Sequence, residues 1–203
     1  MTRRDALVTL AAATGALAVT RSVELLARQV DPRFLKMYEE AQRQRPAAIG
    51  SVARIAPIDE PGIPLTVKGQ LFDREGARPL SGVIVFGYHT DREGNYNRPG
   101  VDAWRLQGWA RSDDNGRFEF GTIRPAPYPQ RNAPAHIHMH VDGPTVPRQW
   151  IDDVLFAGDP LLSADARTRA ERAGRFSNIC AVIEDHGRQR CEIAYRVTGE
   201  HVF

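Results

Sequence analysis

From His136 to Val141 the chain alternates imidazole with apolar side chains, His-Ile-His-Met-His-Val. In an extended strand the side-chain period is two, so His136, His138 and His140 share one face while Ile137, Met139 and Val141 share the other. Same-face neighbours lie roughly 7 Å apart along the backbone, which lets His136 and His138 converge on one ion. His140 is roughly 13 Å from His136 and falls outside that reach. The strand therefore predicts a two-histidine contribution to a metal site. Upstream stands Pro125-Ala126-Pro127-Tyr128-Pro129. Each proline fixes its own φ and biases the preceding residue toward extended backbone, so the loop is rigid, and Tyr128 is the leading candidate for a further ligand, with a packing aromatic as the alternative.

The rest of the chain supplies the scaffold. Its 203 residues, 42% hydrophobic and 26% charged, suit one soluble domain with extensions. A formal charge of +2 argues against nucleic acid or an anionic membrane as partner. Leu65, Val67, Gly69 and Leu71 alternate with polar residues as in a half-buried strand, and Val83-Ile84-Val85-Phe86 reads as a core strand. Gly108–Ser112 and Arg117–Thr122 flank Asp113-Asp114-Asn115-Gly116, which predicts a hairpin. Trp150–Phe156 is a further strand, Ser163–Ala173 a short charged helix, and Asn178–Glu184 with Gln189–Val197 a last hairpin. That hairpin would place Cys180 and Cys191 in opposite arms, near cross-strand register. Short strands at this spacing indicate a mainly β protein, an antiparallel β-sandwich.

The N-terminal part differs. Thr2-Arg3-Arg4-Asp5 precedes an uncharged small-residue run, Val8 to Val19, with Ala16-Leu17-Ala18 as a cleavage site, and this resembles a twin-arginine export signal. The run is shorter than the roughly 20 residues of a membrane-spanning helix, so stable membrane insertion of the mature chain is not expected, and an extracytoplasmic location is. Asp31-Pro32 begins a helix reaching about Arg45, with Tyr38 and Ala41 at packing positions. Residues 50–64 read as a connector. The expected organisation is thus a signal at 1–18, a helical extension and linker at 19–63, and a β-sandwich domain at 64–203.

Thr122-Ile123-Arg124-Pro125-Ala126-Pro127-Tyr128-Pro129 followed by Pro134-Ala135-His136-Ile137-His138 resembles the iron-binding segment of the intradiol ring-cleavage dioxygenases, the protocatechuate and catechol dioxygenase family. Asp91-Arg92-Glu93-Gly94-Asn95-Tyr96 matches that family's other tyrosine motif, and Phe156-Ala157-Gly158-Asp159-Pro160-Leu161 follows in the family order. The resemblance implies a prealbumin-like sandwich holding Fe(III) through Tyr96, Tyr128, His136 and His138. It further implies a catechol-type substrate, O2 as co-substrate and a cis,cis-muconate product, with Tyr128 the phenolate that substrate displaces. It leaves room for a homo-oligomer. Phenolate oxygen suits a hard ferric ion, whereas imidazole alone would not choose among iron, copper, zinc and nickel.

Two positions depart from the family pattern. Ala133 stands where an arginine is usual, three residues before the first histidine, and Asp153 stands where a glutamine is usual. Arg131, Arg148 and Arg111 are candidates to replace the missing cation, with Arg131 nearest in sequence. Arg131 and Asp153 are accordingly expected to take part in catalysis beside Tyr128. A non-catalytic transthyretin-like binding module and a degenerate, weakly active metal site are the rival readings.

Overall fold

The computed structural model describes residues 31–97 and 103–203. The proposed export signal at 1–18 lies outside them. The chain divides into two compact units, Met1–Lys36 and Met37–Phe203, and all contacts below belong to the second. Helix α1 spans Pro32–Arg43, with Tyr38 and Ala41 buried as their spacing predicts. Among the described residues no helix is long and apolar enough to cross a membrane.

Two five-stranded sheets make up the second unit. One has the order β1 (Val52–Arg54), β5 (Arg117–Ile123), β2 (Pro64–Phe72), β10 (Arg188–Arg196) and β9 (Ile183–Asp185). The other has the order β4 (Leu106–Arg111), β3 (Ile84–His89), β6 (His136–Gly143), β7 (Val146–Phe156) and β8 (Ile179–Cys180). Alternation works as read from the sequence: Leu65, Val67 and Leu71 of β2 and Ile137, Met139 and Val141 of β6 are buried in one shared core. Strand β3 is buried along its whole length, as its unbroken apolar run requires. A second helix, α2 (Ala164–Ala173), starts at an N-cap where Ser163 accepts from the Ala166 N–H.

The expected antiparallel arrangement is corrected: both sheets are mixed. β1 runs parallel to β5, β10 to β2, and β7 to β8. Parallel neighbours need a long crossover, and between β2 and β10 the entire second sheet serves as that connection. Residues 50–64 are more than a connector, because Val52–Arg54 adds an edge strand.

The two expected hairpins also change. The turn at Asp113–Gly116 forms, with the Asp113 carboxylate accepting from the N–H groups of Asn115 and Arg117. Yet β4 pairs with β3 and β5 with β2, in different sheets. Turn chemistry is the same for a hairpin and for an arch between layers, and here both flanking strands bury an apolar face against the shared core. Near the C-terminus only residues 183–185 and 188–190 pair around His186-Gly187. Both turn residues have positive φ, as a tight two-residue hairpin turn requires. Cys180 instead pairs into the β7 sheet and Cys191 into the β2 sheet. The two free thiols are buried in the core, in different layers.

Candidate metal centre

Strand β6 presents His136, His138 and His140 on one side, as the alternation dictates, but the three meet different surroundings. His140 is fully buried among Tyr38, Phe86, Tyr88, Trp150 and Phe203. His136 and His138 lie at the more open end, half-buried, with their Nε2 atoms 3.1 Å apart.

Two loops bring the phenols. Tyr96 follows the Asp91–Asn95 turn, and Tyr128 projects from the proline-rich loop. The loops touch closely: Gly94 has φ of 85°, and a Cβ there would lie 2.4 Å from the Pro127 carbonyl oxygen. Only glycine fits both that backbone region and that approach. The Tyr96 and Tyr128 hydroxyls meet in a short hydrogen bond. The Tyr128 hydroxyl lies 3.1 Å from His136 Nε2 and 3.3 Å from His138 Nε2, and the Tyr96 hydroxyl 2.7 Å from His138 Nε2. The structure thus brings all four expected residues to one point.

Proton accounting shows what such a cluster wants. His136 Nδ1 is 2.7 Å from the Pro134 carbonyl, which can only accept, so the ring proton sits on Nδ1. His138 Nδ1 is 2.9 Å from Asp153 Oδ1, which likewise accepts. In the neutral form of each ring, the form that binds a metal, both Nε2 atoms then carry lone pairs and face each other. Two phenol protons cannot serve all the close contacts among four electron-rich atoms. A cation among them removes the repulsion at once. Two phenolate-capable oxygens and two imidazoles fit a hard or borderline metal ion, and the donor atoms already converge.

Electrostatics agree. Burial lowers the His136 pKa, with His138 adding to the effect, so the imidazole is neutral at pH 7 and its Nε2 is available. Burial, followed by the hydrogen bond it donates to Tyr128, holds the Tyr96 phenol far above its ordinary value. Burial raises Tyr128 too, opposed by its bond to Tyr96. Both phenols keep their protons until a cation replaces them.

Asp153 acquires a role that the sequence did not reveal. Strands β6 and β7 pair Ile137 with Val154 but Met139 with Ile151, so β7 carries one extra residue opposite His138. This bulge breaks the alternation of buried residues between Ile151 and Val154 and leaves Asp153 bonded to the His138 ring. The spacing Ile151-x-x-Val154 was the available signal. His136, His138 and Asp153 can also be grouped as three ligand atoms within 4.8 Å. With His138 Nδ1 donating to Asp153, however, Nε2 is the free ligand atom, and the carboxylate lies across the ring from it.

Arg131 exposes its side chain beside the site, with its guanidinium carbon 5.4 Å from the centre of the Tyr128 ring. The other candidate cations are engaged elsewhere: Arg111 donates to the Gly82 carbonyl, and Arg148 packs over Tyr38 and Phe203. Trp104 is buried and stacks on Tyr88 at 3.8 Å, and Tyr88 stacks on His138 at 4.7 Å, so an aromatic wall backs the histidine. Asp159 holds the approach to His136, its carboxylate accepting from the N–H groups of Ala135 and Leu161. A separate groove of about 740 Å³, lined in part by Lys68, Gln70, Arg117, Glu119 and Glu192, contains none of these donors.

Fold and donor set together define a mainly β protein in which two phenols and two imidazoles converge at one point. The dioxygenase family model matches residues 38–198, and the chain belongs to that family. It is 30% identical over 128 residues to the chlorocatechol 1,2-dioxygenase of Rhodococcus opacus, covering 53% of this chain and 49% of that protein. It is 29% identical over 113 residues to the protocatechuate 3,4-dioxygenase beta chain of Burkholderia cepacia, covering 50% and 48%. The chain spans about half the length of the curated relatives it matches. Catechol 1,2-dioxygenase from Pseudomonas arvilla C-1 shares the fold, with a TM-score of 0.57 and 19% identity over 81% of this chain and 67% of that one.

Proposed function

We propose that Tyr96, Tyr128, His136 and His138 hold a ferric ion, and that the protein cleaves a catechol with O2 between its two hydroxyl-bearing carbons, giving a cis,cis-muconate. The observation that carries this reading is the pair of lone-pair-bearing Nε2 atoms 3.1 Å apart, capped by two phenols in mutual contact. Phenolate oxygen favours iron(III) over the softer metals that imidazole would accept. When bound, the ion supplies Lewis-acid activation of the diol and a template for it.

The chain's own contributions follow from the geometry. Tyr96 is anchored more deeply and stays a fixed donor. Tyr128 is half-buried, on a loop beside Arg131, and serves as the base that receives a hydroxyl proton from the incoming diol. Arg131 supplies the positive charge that Ala133 lacks, against the negative charge that builds on the ring. Asp153 keeps His138 in the tautomer whose Nε2 faces the ion. Tyr88 and Trp104 exclude water from the rear of the site. The four ligands and the matching relatives support this reading. Export by the twin-arginine route, which carries folded and metal-loaded proteins, is part of the same proposal and rests on the Arg3-Arg4 segment.

Oxygen uptake over a panel of catechols, with wild type and Arg131→Ala, tests the reaction. Uptake by iron-loaded wild type is expected, with a lower kcat in Arg131→Ala. No uptake with any catechol despite bound iron would leave a metal-holding protein without this activity.

A further inference from the structure

Both proposed iron tyrosines hang from one residue outside the metal cluster. The Asp91 carboxylate oxygen Oδ1 accepts from the N–H groups of Glu93 (3.0 Å) and Asn95 (2.9 Å), shaping the turn that delivers Tyr96. The Asp91 carbonyl accepts from the Ala126 N–H at 3.1 Å, two residues before Tyr128. Thr90 doubles that link, its hydroxyl donating to the Ala126 carbonyl at 2.7 Å. Displacement of Asp91 therefore moves both phenols.

Asp91 is itself held. Arg105 donates to its Oδ2 at 3.3 Å and forms a bidentate pair with Glu60 at 2.5 and 2.9 Å. The Arg105 backbone N–H also donates to the Tyr96 carbonyl at 3.0 Å. One residue thus grips the Tyr96 turn at both ends, by side chain at Asp91 and by backbone at Tyr96. Exposed ion pairs contribute little, but here the Glu60, Asp91 and Arg105 side chains are only 8%, 14% and 26% exposed. A planar guanidinium can span two carboxylates with fixed geometry, which an ammonium cannot. Glu60 comes from the segment before β2, far from the ligands in sequence and without contact to them.

We propose that Glu60, Arg105 and Asp91 form a clamp whose function is to set the spacing of Tyr96 and Tyr128, making Arg105 the principal positioning residue of the metal centre. This rests on the reading of the four ligands as an iron site. Outer-shell partners of metal ligands typically alter affinity about 10- to 100-fold, and the clamp acts on two ligands together.

The test compares the full chain with Arg105→Met, Arg105→Lys and Glu60→Gln. Arg74→Met, which breaks the exposed Arg74–Glu200 pair, is the control. Iron(III) affinity is read by chelator competition, the tyrosinate-to-iron charge-transfer band by visible absorption, and folding by circular dichroism of the metal-free proteins. Arg105→Met is expected to fold, to bind iron about 10- to 100-fold more weakly, and to shift the band. Arg105→Lys should recover part of both, and the control should keep wild-type affinity and an unmoved band. If Arg105→Met does not fold, Arg105→Lys and Glu60→Gln carry the same expectation. Wild-type affinity in the folded variants, or weaker binding with an unmoved band, would overturn the clamp. A wild type with no band at all would overturn the iron site and the clamp with it.

Discussion

Replacing Asp153 with leucine should weaken metal binding without removing a ligand. The Asp153 carboxylate accepts from His138 Nδ1–H at 2.9 Å, and this bond fixes which nitrogen faces the cluster. A hydrogen bond to a charged group contributes about 1.5–3 kcal/mol. The Asp153 side chain is 38% exposed and that of His138 22%, so solvent screening reduces the figure to about 1–2 kcal/mol. At 1.4 kcal/mol per tenfold, iron(III) affinity should fall roughly 5- to 30-fold. Asp153→Asn should do less damage, because its amide oxygen still accepts from Nδ1–H. Charge-assisted bonds are roughly twice as strong as neutral ones, so asparagine should cost about 2- to 5-fold. Chelator-competition titrations of wild type and both variants measure this directly, with the charge-transfer band confirming that both tyrosines still bind. Wild-type affinity in Asp153→Leu would refute the claim that Asp153 supports the metal through His138.

Three other outcomes are expected. Burial raises both phenol pKa values and lowers that of His136, so at pH 7 iron must displace two phenol protons and none from His136. A pH-stat should record about two protons released per iron, with apparent affinity rising as pH rises, and release of none would contradict tyrosinate ligation. Gly94→Ala should strain the contact of the two tyrosine loops, because its Cβ would lie 2.4 Å from the Pro127 oxygen at a φ of 85°. Thermal melts should show a loss on the order of 1–3 kcal/mol, and an unchanged melt would show that the loops are free to part. Replacing Arg3 and Arg4 by lysines should leave precursor in the cytoplasm on fractionation, and undiminished export would exclude the twin-arginine route.

What the sequence disclosed and what it withheld have a physical division. Period-two alternation is local, so β2, β3 and β6 and the shared face of His136 and His138 were legible. Proline fixes the backbone locally as well, which is why the Tyr128 loop could be read as rigid. Which sheet a strand joins is decided by distant apolar surfaces. The Asp113–Gly116 turn therefore forms as read while β4 and β5 part into different layers, and Cys180 and Cys191 belong to different sheets although their thiols meet across the core. Asp153 stands out in the sequence as a departure from the family pattern, but its contact with His138 depends on the bulge in β7, whose trace is a single break in alternation. Glu60 and Arg105 gave no signal, because nothing in their neighbourhoods tells that residues 45 apart form an ion pair.

Tyr96, Tyr128, His136 and His138 are proposed to hold one ferric ion together. The visible absorption spectrum of the iron-loaded protein, beside those of Tyr96→Phe and Tyr128→Phe, tests it most directly. Ligation by both tyrosines should give a burgundy wild type with a tyrosinate-to-iron(III) charge-transfer band that shifts or weakens in each variant. A colourless protein carrying stoichiometric iron, or a band unchanged in both variants, would contradict it.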